Sequence, residues 1–157
     1  VLYLSVVTVA ALRFGIAAMP VGKRRNVLHE RVYGELLPVF AGRVLPFDLD
    51  ASRAYAALMM KAKLAGQAIT MADATIAAIA ASPGFLVATR DVAPFDAAGV
   101  PVINPWARRS DTGQLRAHHG QRGLVASCLK RSFSRRKIQD LYITGRGAAL
   151  GKYLWCQ

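Results

Sequence analysis

Residues 69–106, ITMADATIAAIAASPGFLVATRDVAPFDAAGVPVINPW, decide how this chain folds. Thr70 is suited to cap a helix, and Asp73, three residues on, falls in the first turn, where exposed N–H groups and the helix dipole favour a negative charge. Ala72 to Ala81 is rich in the best helix former and sets Ile76 and Ile79 on one face, and Ser82-Pro83-Gly84 ends the helix. Phe85 to Thr89 is a short apolar run that closes on Arg90-Asp91. Val100 to Ile103 is a second such run, after a turn around Ala97-Ala98-Gly99.

The lengths in this unit say more than its pattern. About ten helical residues rise ~15 Å, and about five extended residues cover ~16 Å, so the strand climbs back as far as the helix descends. With helix and strand antiparallel, as in an α/β layer, Asp73 and Asp91 sit on one edge of the sheet, the carboxyl edge where open α/β sheets bind ligands. Two neighbouring carboxylates repel, and a divalent cation relieves the repulsion. Magnesium takes oxygen ligands and keeps several waters, so aspartates from different elements suit it. Either acid alone is an ordinary occupant of its place, a helix start or a strand end. It is the pair, with the matched lengths, that points to a metal.

Upstream, the chain opens in an apolar run, VLYLSVVTVAAL. No basic region precedes it, and Arg13 interrupts it well short of the ~20 apolar residues a membrane span needs, so neither a signal peptide nor a span is expected. Leu2 to Leu4 suits a strand, with Ser5 or Thr8 starting a helix to about Ala18 that Pro20 and Gly22 stop. Lys23 to Val39 suits a second helix, with Val27, Leu28, Leu36 and Leu37 at near-helical spacing and Arg24 and Arg25 solvated at its start. His29 has no evident partner and is read as structural or exposed. Val44 to Phe47 is a short strand or link. Asp50 is then suited to cap a helix from Ala51 to about Leu64, with an apolar face of Ala54, Ala57, Leu58 and Met59, and Gly66 closes it.

At 157 residues the chain suits one domain with a sizeable core. Its net charge of +12 is unevenly spread. Val1 to Trp106 holds ten basic residues against seven acids, whereas residues 107–157 hold eleven against Asp111 and Asp140 alone. That tail has several glycines and clustered arginines without a sustained period, so it is expected to be irregular or disordered. Its Phe133, Tyr142, Tyr153 and Trp155 among basic residues would suit an RNA-binding arm, although nothing in it patterns like a built element. Cys128 and Cys156 lie there without a CxxC spacing, and His118-His119 is a weak metal lead. Two cysteines are too few for a secreted disulfide scaffold, and a reducing cytoplasm is the expectation.

The runs MADATIAAIA, GFLVATRDV and GVPVINPW, preceded by YLSVVTVAALRFGIA, resemble the PIN domain family, and within it the VapC-type toxin ribonucleases of type II toxin–antitoxin pairs. The resemblance covers residues 1 to 106 and ends at Pro105-Trp106. It implies a three-layer α/β fold, a short parallel sheet flanked by helices, with 107–157 as an appended tail. It also implies an endoribonuclease dependent on magnesium or manganese, with RNA as substrate, a cognate antitoxin as protein partner, a homodimer, no membrane, and a cytoplasmic location.

The family's site is usually built from four acids, and the resemblance carries over two of them. The first, at the end of the first strand, would precede Val1. The second matches Ala11, which holds no metal, and no acidic side chain occurs from Val1 to His29. The third and fourth match Asp73 and Asp91. The grip on a metal follows ligand number and charge, so half the set implies weak binding and impaired cleavage. The alternative is a non-catalytic module that binds an antitoxin or itself. The absent first strand belongs at the centre of the sheet, where its loss would leave unpaired backbone groups and an apolar seam on both neighbours.

Overall fold

The computed structural model describes residues 1–105 and 124–126. Its middle is α5 (Met71–Ala81), which begins where the sequence expects. Thr70 is extended there, and its Oγ1 accepts from the Asp73 N–H at 3.1 Å. Ile76 and Ile79 are buried as anticipated, but so are Ala74, Ala77, Ala78 and Ala80, so the helix is enclosed on nearly all sides. Alanine makes this possible, because a helix without bulk lets neighbours approach closely. The α4 helix (Leu49–Leu64) packs on it most extensively, and α1 (Val6–Ala17), α6 (Ala93–Ala98), β1 (Leu2–Ser5) and β3 (Leu86–Ala88) also touch it. After Ala81 the chain turns back: Gly84 takes a left-handed φ of 72°, which favours glycine, and the Phe85 N–H donates to the Ala80 carbonyl at 2.8 Å. The strand β3 (Leu86–Ala88) follows.

Among the described residues, five strands form one sheet, all pairs parallel, in the order β2-β1-β5-β3-β4. They are β1 (Leu2–Ser5), β2 (Val44–Leu45), β3, β4 (Val102–Ile103) and β5 (Leu124–Ala126). The central place goes to β5, which pairs with β1 on one side and β3 on the other. The unpaired seam expected between these neighbours therefore does not arise: an apolar run from the far end of the chain supplies the missing backbone partners. Within the tail expected to be irregular, Leu124–Ala126 is a strand. The remaining tail residues, with both cysteines, His118-His119 and the aromatic residues, lie outside the described ones.

The helices follow the sequence with one alternative settled and three corrections. Ser5, not Thr8, caps α1 (Val6–Ala17). The second helical stretch is continuous from Lys23 to Val39 but not uniform: α2 (Lys23–Glu30) and α3 (Leu37–Val39) are joined by a π-helical turn, Arg31–Leu36. That wider turn shifts the periodicity, so Val32 and Phe40 carry the burial while Val27 is exposed. In α4 the cap is Asp48, whose carboxylate accepts from the Ala51 N–H at 2.8 Å. Asp50 instead lies in the first turn and pairs with Arg53. The inner stripe of α4 runs through Ala51 and Ala62, with Tyr55 and Leu58 half-buried between them and Ala57 exposed. Finally, the turn before β4 is a short helix, α6 (Ala93–Ala98), stopped by Gly99 at φ 70°. Among the described residues, no helix is long and apolar enough to cross a membrane.

Candidate functional site

Because every strand pair is parallel, the carboxyl ends of all five strands share one edge. Two flanks of that edge carry polar groups. The first is the end of β3, where Thr89 and Asp91 follow; Asp73, expected beside them, stands half-buried in the opening turn of α5, the helix that precedes β3 and packs against it. Thr70 holds Asp73 from both directions: its Oγ1 accepts from the Asp73 N–H and donates to Asp73 Oδ2. The reciprocal pair is a variant of the capping box and fixes the carboxylate without neutralising it. Asp91 follows β3 by three residues and is exposed. Its N–H donates to Thr89 Oγ1 at 3.1 Å, and Thr89 is itself buried and tied to β4 through its N–H to the Ile103 carbonyl at 3.0 Å. The tight reversal between α5 and β3, together with their packing, returns the strand along the helix.

The second flank is the end of β1. Ser5 and Thr8 are buried, their hydroxyls 2.9 Å apart, and Ser5 Oγ also accepts from the Thr8 N–H at 3.0 Å. Leu4, Ala126 and Ala88 are level in the sheet, so Ser5 and Thr89 each lie one residue beyond that level on the strands flanking β5. The sequence offers Ser5 and Thr8 only as alternative helix starts. A hydroxyl closing an apolar strand, with a second one turn on, is the signal that would have placed both at the edge. Ala11 is half-buried in α1, a turn past Thr8, and adds no ligand.

Asp73 and Asp91 are hard oxygen donors and suit magnesium in kind. They do not suit it in number, because among the described residues no group of three or more His, Cys, Asp or Glu side chains is placed to hold a metal ion. The other charged residues singled out in the sequence are accounted for elsewhere. His29 is exposed and stacks on Tyr33 with ring centroids 4.4 Å apart, and the Arg13 guanidinium lies over the same Tyr33 ring. Arg24 is exposed at the start of α2.

Residues 1–100 match the PIN domain family. The chain is 64% identical over 105 residues to the VapC ribonuclease Y4jK of Sinorhizobium fredii, covering 67% of this chain and 75% of that protein. It is 60% identical over 105 residues to the plasmid stability protein StbB of Pseudomonas syringae pv. tomato, covering 67% and 76%. With the toxin FitB of Neisseria gonorrhoeae it shares 51% identity over 104 residues, covering 66% and 75%. Among solved structures, FitAB bound to a DNA fragment superposes with a TM-score of 0.65 at 50% identity, over 67% of this chain and 73% of that one. VapBC-5, from a toxin–antitoxin system of Mycobacterium tuberculosis, superposes with a TM-score of 0.53 at 35% identity, over 64% and 79%. The small parallel sheet, the helices around it and these identities together establish that the chain belongs to the PIN domain family, in its VapC-type toxin branch.

Proposed function

We propose that this chain is a VapC-like toxin whose chemistry is the metal-dependent cleavage of RNA, and that it performs this chemistry weakly. The observation that supports the reading is that Asp91 follows β3 and Thr89 at the carboxyl end of a parallel sheet, while Asp73 is held by Thr70 at the start of α5, the helix that precedes β3 and packs against it. These two carboxylates would hold a magnesium or manganese ion. When bound, such an ion activates water and stabilises charge that builds on a phosphodiester. The chain's own contribution is positional. Thr70 orients Asp73 through two hydrogen bonds, and the buried Ser5, Thr8 and Thr89 close the edge with neutral hydroxyls that add no repulsion.

We place the site in residues 1–106 and read 107–157, apart from the strand Leu124–Ala126 that joins the sheet, as an appended basic segment, in a protein of the cytoplasm. The test is cleavage of a mixed RNA substrate by the full chain with and without magnesium. Slow cleavage that needs the ion and disappears in Asp91→Asn is expected. Cleavage that needs no ion, or that survives Asp91→Asn unchanged, would overturn the reading.

A second reading is favoured by the short acid set and by Ala11: a module that has lost chemistry but still binds an antitoxin or a second copy of itself. VapBC-5 is a member of a family of toxin–antitoxin systems. Here, Phe14 on α1 and Val21 before α2 are 71% and 85% exposed, apolar surface of the kind a partner covers. Absence of any metal-dependent cleavage, together with stable capture of an antitoxin, would favour this second reading.

A further inference from the structure

The centre of the sheet is built in an unusual order. β1 and β3 are tethered independently of β5: α5 packs against both, and the Tyr3 ring of β1 stacks on Phe85, just before β3, with centroids 4.9 Å apart. These contacts hold β1 and β3 one strand apart, with β2 on the far side of one and β4 on the far side of the other. Without β5, the sheet is two separate two-stranded ribbons facing each other across a gap. Each then turns a row of unpaired N–H and C=O groups toward a buried interior, which is strongly unfavourable. Isolated two-stranded ribbons are themselves marginal.

The occupant of the gap comes from the least patterned part of the chain. Leu124 pairs with Leu2 and Leu86, Val125 with Tyr3 and Val87, and Ala126 with Leu4 and Ala88. Val125 is fully buried, as is Val87 beside it. We infer that the gap between β1 and β3 is a strand-acceptor slot and that Leu124–Ala126 is its donor, supplied by the same chain. A parallel connection needs about a dozen residues or more, and residues 106–123 provide 18 between Pro105 and Leu124. The slot selects for an extended parallel segment with apolar side chains and two free backbone edges. Occupancy, and not membership in the local α5–β3 unit, decides whether the two ribbons behave as one sheet.

The test is amide hydrogen exchange on the full chain, read at Tyr3 and Ala88, which alternate with Leu4 and Val87 (bonded outward to the Arg43 and Pro101 carbonyls) and so turn their N–H groups toward β5, with a peptide of residues 121–128 (QRGLVASC) as the probe under reducing conditions. Val125→Asp puts a charge in the buried centre and is expected to raise exchange at both amides at least tenfold, whereas Val125→Ile leaves them protected. Added peptide should restore protection in Val125→Asp, and the same peptide carrying the aspartate should not. Unchanged exchange in Val125→Asp would overturn the inference. So would failure of the wild-type peptide to restore protection, whether or not the variant keeps its helices. Protection in the unaltered protein that falls on dilution, in step with a monomer–dimer equilibrium, would assign the strand to a second copy and overturn the in-chain donor.

Discussion

At the start of α1, Ser5 Oγ accepts from the Thr8 N–H and lies 2.9 Å from the Thr8 hydroxyl. At the start of α5, Thr70 Oγ1 accepts from the Asp73 N–H and donates to the Asp73 carboxylate. The two helices use one device, a hydroxyl cap engaging the side chain three residues on, yet one flank of the edge is neutral and the other anionic. The neutral pair satisfies the helix's orphan N–H groups as well as the charged one does. The local fold therefore places no demand for an acid on the α1 flank, and charge can be absent there without loss of architecture. On the proposed function, a cation held by Asp73 and Asp91 would have no carboxylate from the α1 flank.

That contrast can be broken in several ways. The largest effect concerns the helix both flanks rest on: Ile76→Ala, at a fully buried position in α5, is expected to lower stability by about 2–5 kcal/mol in chemical denaturation. A loss under about 1 kcal/mol, the level of a minor contact, would remove α5 from the centre of the account. Next, Asp73→Asn with Asp91→Asn is expected to reduce metal-dependent RNA cleavage on the order of 100-fold, the scale of a lost electrostatic stabiliser, while leaving the far-ultraviolet spectrum unchanged. Third, Ala11→Glu supplies a carboxylate to the neutral flank. It should tighten magnesium binding about tenfold, equivalent to about 1.4 kcal/mol, in a calorimetric titration. An unchanged constant would show that Ala11 does not face the acids.

The smallest effect sharpens the comparison most finely. Ser5→Ala and Thr70→Ala each remove a helix cap and should each cost about 1 kcal/mol of stability. Only Thr70→Ala also frees the Asp73 carboxylate, so only that variant should alter the magnesium titration. Equal changes in both would mean that the two caps serve the edge alike.

The parts legible in the sequence are those fixed by neighbours close in the chain. Thr70, the alanine run and Ser82-Pro83-Gly84 specify α5 because cap, propensity and stop all act within a turn or two. Phe85 to Thr89 follows because four apolar residues and a β-branched threonine after such a stop have few alternatives. The cap of α4 is displaced from Asp50 to Asp48 because both acids satisfy the same local rule, and tertiary packing of Ala51 and Ala62 chooses between them. The π-helical turn and α6 have no period of their own to announce them. The strand β5 was the least legible: three apolar residues carry no periodic signal, and their partners lie about 40 and 120 residues away. Only the demand for backbone partners between β1 and β3 identifies them. For the site, Asp73 and Asp91 are candidates that the sequence offers through matched lengths and family resemblance. The buried hydroxyls of Ser5, Thr8 and Thr89 were not recognised as groups of the edge, because their position depends on strand register.

A calorimetric magnesium titration of the full chain against its Asp73→Asn/Asp91→Asn variant tests most directly whether these two acids form one incomplete cation site. The expected result is weak binding, with a dissociation constant on the order of millimolar, as few charged ligands imply, and its complete loss in the double variant. Tight binding by the unaltered chain, or binding that the double variant retains, would contradict it.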